Sequence, residues 1–207
     1  MPMEKNEQFN VMTCLPGTAA ALPAVAVLLA AAVRQGDPWK IVSFGIYGGT
    51  LLLLYLTTLT YHALQGRAKQ LLRTFDHCAI FLLIAGTYTP FSLVTLRGAW
   101  GWTLLGLVWG MAAFGVMQEF RPDLAPRIPD LAIYLGMGWL ILIAIKPLLQ
   151  AMPWQGVAWL AAGGFFYTGG ILFFALDKKY PRAHGFWHLC VLAGSASHYL
   201  AVLLYIA

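Results

Sequence analysis

Charge is what this sequence has least of. Only 10% of its 207 residues are Asp, Glu, Lys or Arg, against about 25% in an ordinary soluble domain, while 60% are hydrophobic. That balance excludes a water-soluble globular protein. Basic clusters are missing as well: 13 Lys and Arg outnumber 8 Asp and Glu, but they form no run of the length nucleic-acid binders carry. Cysteine is sparse. Cys14, Cys78 and Cys190 are odd in number, far apart and without Cys-x-x-Cys spacing, which excludes a disulfide framework or a Cys-type zinc site. All three are expected to be free and buried. The chain also lacks internal repeats and, beyond an Ala-rich first segment, low-complexity stretches.

What is there is apolar length. A membrane-crossing helix needs about 20 apolar residues, and seven such runs fill the chain, at about 15–33, 41–63, 75–96, 99–119, 131–150, 154–176 and 184–206. The fold expected is an all-α, seven-transmembrane-helix bundle at 15–207, preceded by a short cytoplasmic segment at 1–14. Charged or Pro-containing connections separate the runs: Arg34 to Lys40, Gln65 to Arg73, Arg97, Arg121 to Asp130, Met152 to Gln155 and Asp177 to Arg182. Basic residues fall unevenly across them. Lys5, Arg67, Lys69, Arg73, Arg121, Arg127, Lys178, Lys179 and Arg182 share one side, leaving Arg34, Lys40, Arg97 and Lys146 for the other. The positive-inside bias therefore predicts a cytoplasmic N-terminus and places Ala207 outside. Glu4 and Glu7 beside the lone Lys5 make a poor signal-peptide n-region, so the first run reads as a retained span. Gly45/Gly49 and Gly106/Gly110 have the Gly-x-x-x-Gly spacing suited to close helix packing, and Pro90 should kink the third span.

Ionisable residues near lipid are costly unless paired or metal-bound, so the few present are informative. Connectivity alone brings three groups to one end of the bundle: His62 closing the second span, Asp76 opening the third, and His184 and His188 opening the seventh. The last two are an i, i+4 pair, about 6 Å apart along the axis and about 40° around it. One metal ion could bridge them, and His62 would add a third neutral nitrogen, the set with which zinc keeps an open position for water. Asp76 would orient or deprotonate that water. Interfacial histidines bonded to headgroups or carbonyls remain the plainer alternative, as does Asp76 as a helix N-terminal stabiliser or a partner of Arg73. His77 lies about 100° around the helix from Asp76, and His198 about 15 Å deeper than His188, so neither is expected to ligate. Glu119, at the inner end of the fourth span, needs no catalytic role.

At these residues the pattern becomes specific. Thr58-Leu-Thr-Tyr-His62, Arg73-Thr-Phe-Asp76-His77 leading to Ile84-Ala-Gly-Thr-Tyr-Thr-Pro90-Phe91, then His184-Gly-Phe-Trp-His188 and Gly194-Ser-Ala-Ser-His198 follow in order along nearly the whole chain. The sequence resembles the hemolysin III family, the bacterial branch of the progestin and adiponectin receptor family. That resemblance implies a multi-pass protein of the bacterial plasma membrane, with zinc near the inner face on His62, His184 and His188. It also matches Asp76 to the aspartate that holds the zinc's water. Thr58 departs from the serine usual in the wider superfamily, which includes alkaline ceramidases; it keeps the hydroxyl and adds a methyl. Hydrolysis of a membrane-lipid amide or ester, with Asp76 and Thr58 at the chemistry, is the activity the resemblance implies. A zinc-stabilised membrane sensor or regulator is the competing reading. A pore ranks last, because the outer halves of the spans offer few polar residues beyond His198, Ser and Thr.

Overall fold

The structure, a computed structural model, describes residues 5–120 and 127–207. The described residues form α1 (Lys5–Gln35), α2 (Pro38–Ala63), α3 (Arg67–Pro90), α4 (Ala99–Glu119), α5 (Arg127–Trp139), α6 (Ile145–Ala151), α7 (Trp154–Ala175) and α8 (Ala183–Tyr205), with no strand among them. A π-helical turn at Phe91–Thr95 extends α3, and a 3₁₀ turn at Leu140–Ala144 joins α5 to α6 into one span. Seven stretches are long and apolar enough to cross a membrane; the second and the fourth to seventh lie within a few residues of the predicted runs, while the third starts eight residues early, at Arg67. The first differs. Its helix begins at Lys5, so the polar residues before the apolar run continue the same helix by more than two turns. The predicted connection at Arg121 lies outside the described residues up to Pro126, and α5 begins at Arg127.

Helices adjacent in sequence pack against one another, and α1 closes against α8. The third span is the central post: 72% of its most apolar window is buried, against 11% for the sixth. Tyr47, Phe44 and Leu51 of α2, Leu28 of α1 and Val202 of α8 form one core, while Phe81, Val108 and Met137 form another between α3, α4 and α5. Lipid is as apolar as these side chains, so contact and close approach hold the helices together, rather than water exclusion. Large apolar side chains such as Leu22, Leu56, Phe114, Phe165 and Leu172 cover the outside. Exposed Trp39, Trp100, Trp102 and Trp154 start α2, α4 and α7, all at the end away from His62, as expected for rings at a membrane–water boundary.

Two sequence expectations are corrected. A Cβ added at Gly45, Gly49, Gly106 or Gly110 would meet open space, so neither Gly-x-x-x-Gly pair packs closely against a helix among the described residues. The close approaches fall at other glycines, such as Gly86 against Thr50 and Gly115 against Phe81. Cys190 is half-buried rather than buried, although all three cysteines are free.

Pro90 ends the α3 hydrogen-bond pattern and hands over to the π turn, so the kink takes that form. The break in the fifth span has a different cause. Tyr88 Oη donates to the carbonyl oxygens of Met137 (2.8 Å) and Gly138 (3.0 Å) and accepts from Ile141 N–H (2.9 Å). Met137 and Ile141 are the i, i+4 pair that would bond each other in a continuous α-helix. The tyrosine hydroxyl stands between them, and the helix passes into 3₁₀ geometry at Leu140.

Candidate metal centre

His62 lies in the last turn of α2, and His184 and His188 lie in the first turns of α8. The three imidazoles converge, with ring centroids 5.1 Å (His62–His184), 4.8 Å (His62–His188) and 4.7 Å (His184–His188) apart. One nitrogen from each lies within 4.8 Å of the others, and among the described residues this is the one such group able to hold a metal ion.

The tautomers follow from what surrounds each ring. His62 Nδ1 faces Glu7 Oε2 at 2.8 Å and His184 Nδ1 faces Asp177 Oδ2 at 3.2 Å; a carboxylate only accepts, so both nitrogens donate. His188 Nδ1 meets Thr13 Oγ1 at 3.0 Å, with Cys14 Sγ at 3.2 Å. Thr13 gives its own proton to Asn10 O at 2.8 Å, leaving its oxygen to accept from His188. With every Nδ1 committed outward, three Nε2 lone pairs remain. His62 Nε2 is buried and, among the described residues, has no hydrogen-bond partner. An unpaired buried imidazole nitrogen is costly, and outward bonds to carboxylate or hydroxyl are what orient metal-ligating histidines. The donor set therefore fits a divalent metal ion that takes imidazole nitrogen.

Asp76 sits beside the triad, 9% exposed, close enough for its charge to act on both His62 and His184. Its Oδ1 accepts from Thr58 Oγ1 at 2.5 Å, while Arg73 lies exposed. Thr58, Asp76, His184 and His188 line a cavity of about 130 Å³ that runs inward past Tyr88 and Trp139 to His198. The remaining titratable candidates lie apart from the triad. His77 Nδ1 pairs with Glu119 at 3.2 Å, and His198 Nε2 bonds Leu160 O at 3.1 Å.

Sequence reasoning missed the residues that orient the three imidazoles: Glu7, Thr13 and Asp177. Glu7 also bridges to Lys69 Nζ at 2.8 Å, fastening the start of α1 to the start of α3. Phe9 seats against Gly185, where a Cβ would collide with its ring, and so docks the same segment on α8. A signal was available, since Glu7, Asn10, Thr13 and Cys14 recur at helical spacing and mark one polar face on α1.

Comparison with known proteins agrees along the chain. The Haemolysin-III related family model matches residues 3–199. Hemolysin-3 of Bacillus cereus is 41% identical over 205 residues, covering 98% of this chain and 92% of that protein. The Hemolysin-3 homolog of Bacillus subtilis (strain 168) is 41% identical, covering 97% and 94%. Monocyte to macrophage differentiation factor of Homo sapiens is 30% identical over 177 residues, covering 82% and 73%.

Proposed function

The chain belongs to the Haemolysin-III related family, and on that premise we propose that it is a zinc-dependent hydrolase of a membrane-lipid amide or ester. The observation that carries this reading is the convergence of three imidazoles, one nitrogen of each within 4.8 Å of the others, with a Thr58–Asp76 pair that lines an internal cavity. His62, His184 and His188 would hold the ion. Zinc bound there would lower the pKa of a water towards about 7 and polarise a carbonyl.

The chain's own groups do the rest. Asp76 accepts the proton lost in the attack and returns it to the departing amine or alcohol. Thr58, donating to Asp76 Oδ1, fixes a carboxylate that lines the cavity. Glu7, Thr13 and Asp177 keep the imidazoles from turning. The apolar lining below the site, including Leu83, Ile84 and Ile171, suits a lipid tail and excludes bulk water from the scissile bond. With the charge bias of the connections, this site lies at the cytoplasmic leaflet of a bacterial plasma membrane.

The test is turnover of long-chain N-acyl and ester lipids by the purified chain, with chelator and with zinc restored. Chelator-sensitive, zinc-restored release of fatty acid is expected. Absence of turnover across a broad panel, in protein that holds zinc, would overturn the enzymatic reading. It would favour the alternative of a zinc-stabilised sensor or regulator, for which the fastening of α1 to α2, α3 and α8 around the triad speaks.

A further inference from the structure

Water that adds to a carbonyl brings two protons, and the reaction proposed above gives a place to only one of them. That one passes by way of Asp76 to the departing group. The other stays on the added hydroxyl and must leave as the carboxylate product forms. A group that takes it has to border the metal cavity, offer a lone pair and tolerate positive charge.

The residue next to Asp76 meets these conditions. His77 lines the same cavity as Asp76. Each heads a stripe of α3 that forms the cavity wall: Leu83 and Thr87 follow Asp76, while Ile80, Ile84 and Tyr88 follow His77. The two heads stand about 1.5 Å apart in depth and about 100° apart around the helix axis. Asp76 feels the charge of His62 and His184 from the metal site, and that of His77 as well.

The surroundings of His77 make it an acceptor. Its Nδ1 lies 3.2 Å from both carboxylate oxygens of Glu119, the last residue of α4. A carboxylate only accepts, so Nδ1 donates and the lone pair rests on Nε2. The two side chains are 15% and 11% exposed, which shields the pair from bulk water without sealing it. From α5, Tyr134 Oη donates to His77 O at 3.2 Å, and its ring packs 4.4 Å, centroid to centroid, from that of Phe81 one turn along α3. Asp130, in the first turn of α5, is close enough for its charge to act on both Glu119 and His77. Imidazole backed by a carboxylate is the couple that accepts a proton in acyl transfer, the carboxylate fixing the tautomer and stabilising the imidazolium that forms. Fastening α3 to α4 would account for the ion pair, but not for a ring on the cavity wall. His198 also borders the cavity, yet its partner is the carbonyl of Leu160 and no carboxylate.

We propose that His77, backed by Glu119, is a second proton acceptor of the metal cavity, taking from the added hydroxyl the proton that Asp76 does not handle. The C–N or C–O bond breaks with its electron pair going to the departing atom, which receives the proton held by Asp76. The O–H bond of the added hydroxyl breaks with its pair kept by oxygen, completing the carboxylate, and an N–H bond forms at His77 Nε2. The imidazolium then yields its proton to water, past Glu119 and Asp130. This role rests on the hydrolytic activity proposed above.

The experiment compares the metal-loaded full chain with its His77→Ala variant on an N-acyl or ester lipid that the parent cleaves, each with and without added imidazole. His77→Ala should keep its metal and lose about 10²-fold in turnover. Imidazole should restore part of that loss, in proportion to its neutral form, and should not accelerate the parent. Turnover within a few-fold of the parent would overturn the proposal. So would a loss that imidazole does not restore, which would make the pair a brace between α3 and α4. Should His77→Ala not fold, Glu119→Gln decides, since it keeps an acceptor for Nδ1 and removes the charge behind the ring. Turnover about 10-fold lower with KM and metal content unchanged is expected, and unchanged turnover overturns the proposal. A parent that cleaves no lipid sinks the hydrolytic reading and this role with it, whereas a cleaving parent with indifferent variants sinks this role alone.

Discussion

Two polar layers lie one above the other on the same faces of α2 and α8, seven residues apart, and they differ in what stands behind them. In the layer of His62, His184 and His188, each ring has an outward partner, and two of the three partners are carboxylates, Glu7 and Asp177. In the layer of Tyr55, Ser195 and His198 the partners are a backbone carbonyl and a tyrosine hydroxyl. Carboxylates behind neutral imidazoles lower the cost of a cation in an apolar surrounding, and the partners in the inner layer include none. Imidazole occurs in both layers, so residue type alone does not decide which one could take a metal. The second partner of each ring does.

The largest expected effect tests that distinction directly. His184→Ala/His188→Ala should abolish bound metal, measured as metal per purified chain, whereas Ser195→Ala/His198→Ala should leave it intact. Metal lost equally from both variants would erase the comparison. Next in size is Asp76→Asn, which keeps the three nitrogens and removes the proposed base. Lipid hydrolysis should fall by about 10²–10⁴-fold with metal content preserved. A parallel loss of metal would instead make Asp76 a ligand.

A smaller effect sharpens the role of the partners. Glu7→Ala removes the acceptor behind His62 Nδ1 and should weaken metal affinity by about 10–100-fold, read by chelator competition. Lys69→Ala is the control, because Lys69 touches Glu7 and not the ring. If the two variants weaken binding equally, docking of α1 matters and imidazole orientation does not.

The histidine triad was legible because connectivity assigns helix ends to sides, and i, i+4 spacing assigns His184 and His188 to one face. Glu7 and Thr13 were not, since a polar stretch before an apolar run looks like a free segment until its docking surface on α8 is known. The two Gly-x-x-x-Gly pairs show the converse. Spacing is visible in a sequence, but the rotation that turns Gly45 and Gly49 towards lipid or towards a neighbour is set by the other helices. Tyr55 counts as apolar bulk in a hydropathy profile, and its hydroxyl gains meaning only beside Ser195. The break at Leu140 was equally hidden, because its cause, Tyr88, lies on another span.

The smallest effect is expected of a serine at Thr58, one turn before His62 and the donor to Asp76, and it is read against an alanine there. A hydrogen bond to a charged acceptor contributes about 1.5–3 kcal/mol, so Thr58→Ala should lower turnover by roughly 10–150-fold if all of that bond serves to hold the carboxylate. Thr58→Ser keeps the donor and removes only a methyl. Its cost is the freedom of a side chain no longer fixed at χ1 by branching, and turnover should stay within about a few-fold of the parent. The two variants therefore separate hydroxyl from methyl. A Thr58→Ser loss as deep as that of Thr58→Ala would mean that packing at this position, and not the bond to Asp76, governs the site. The metal layer would then depend on shape as much as on its charged partners.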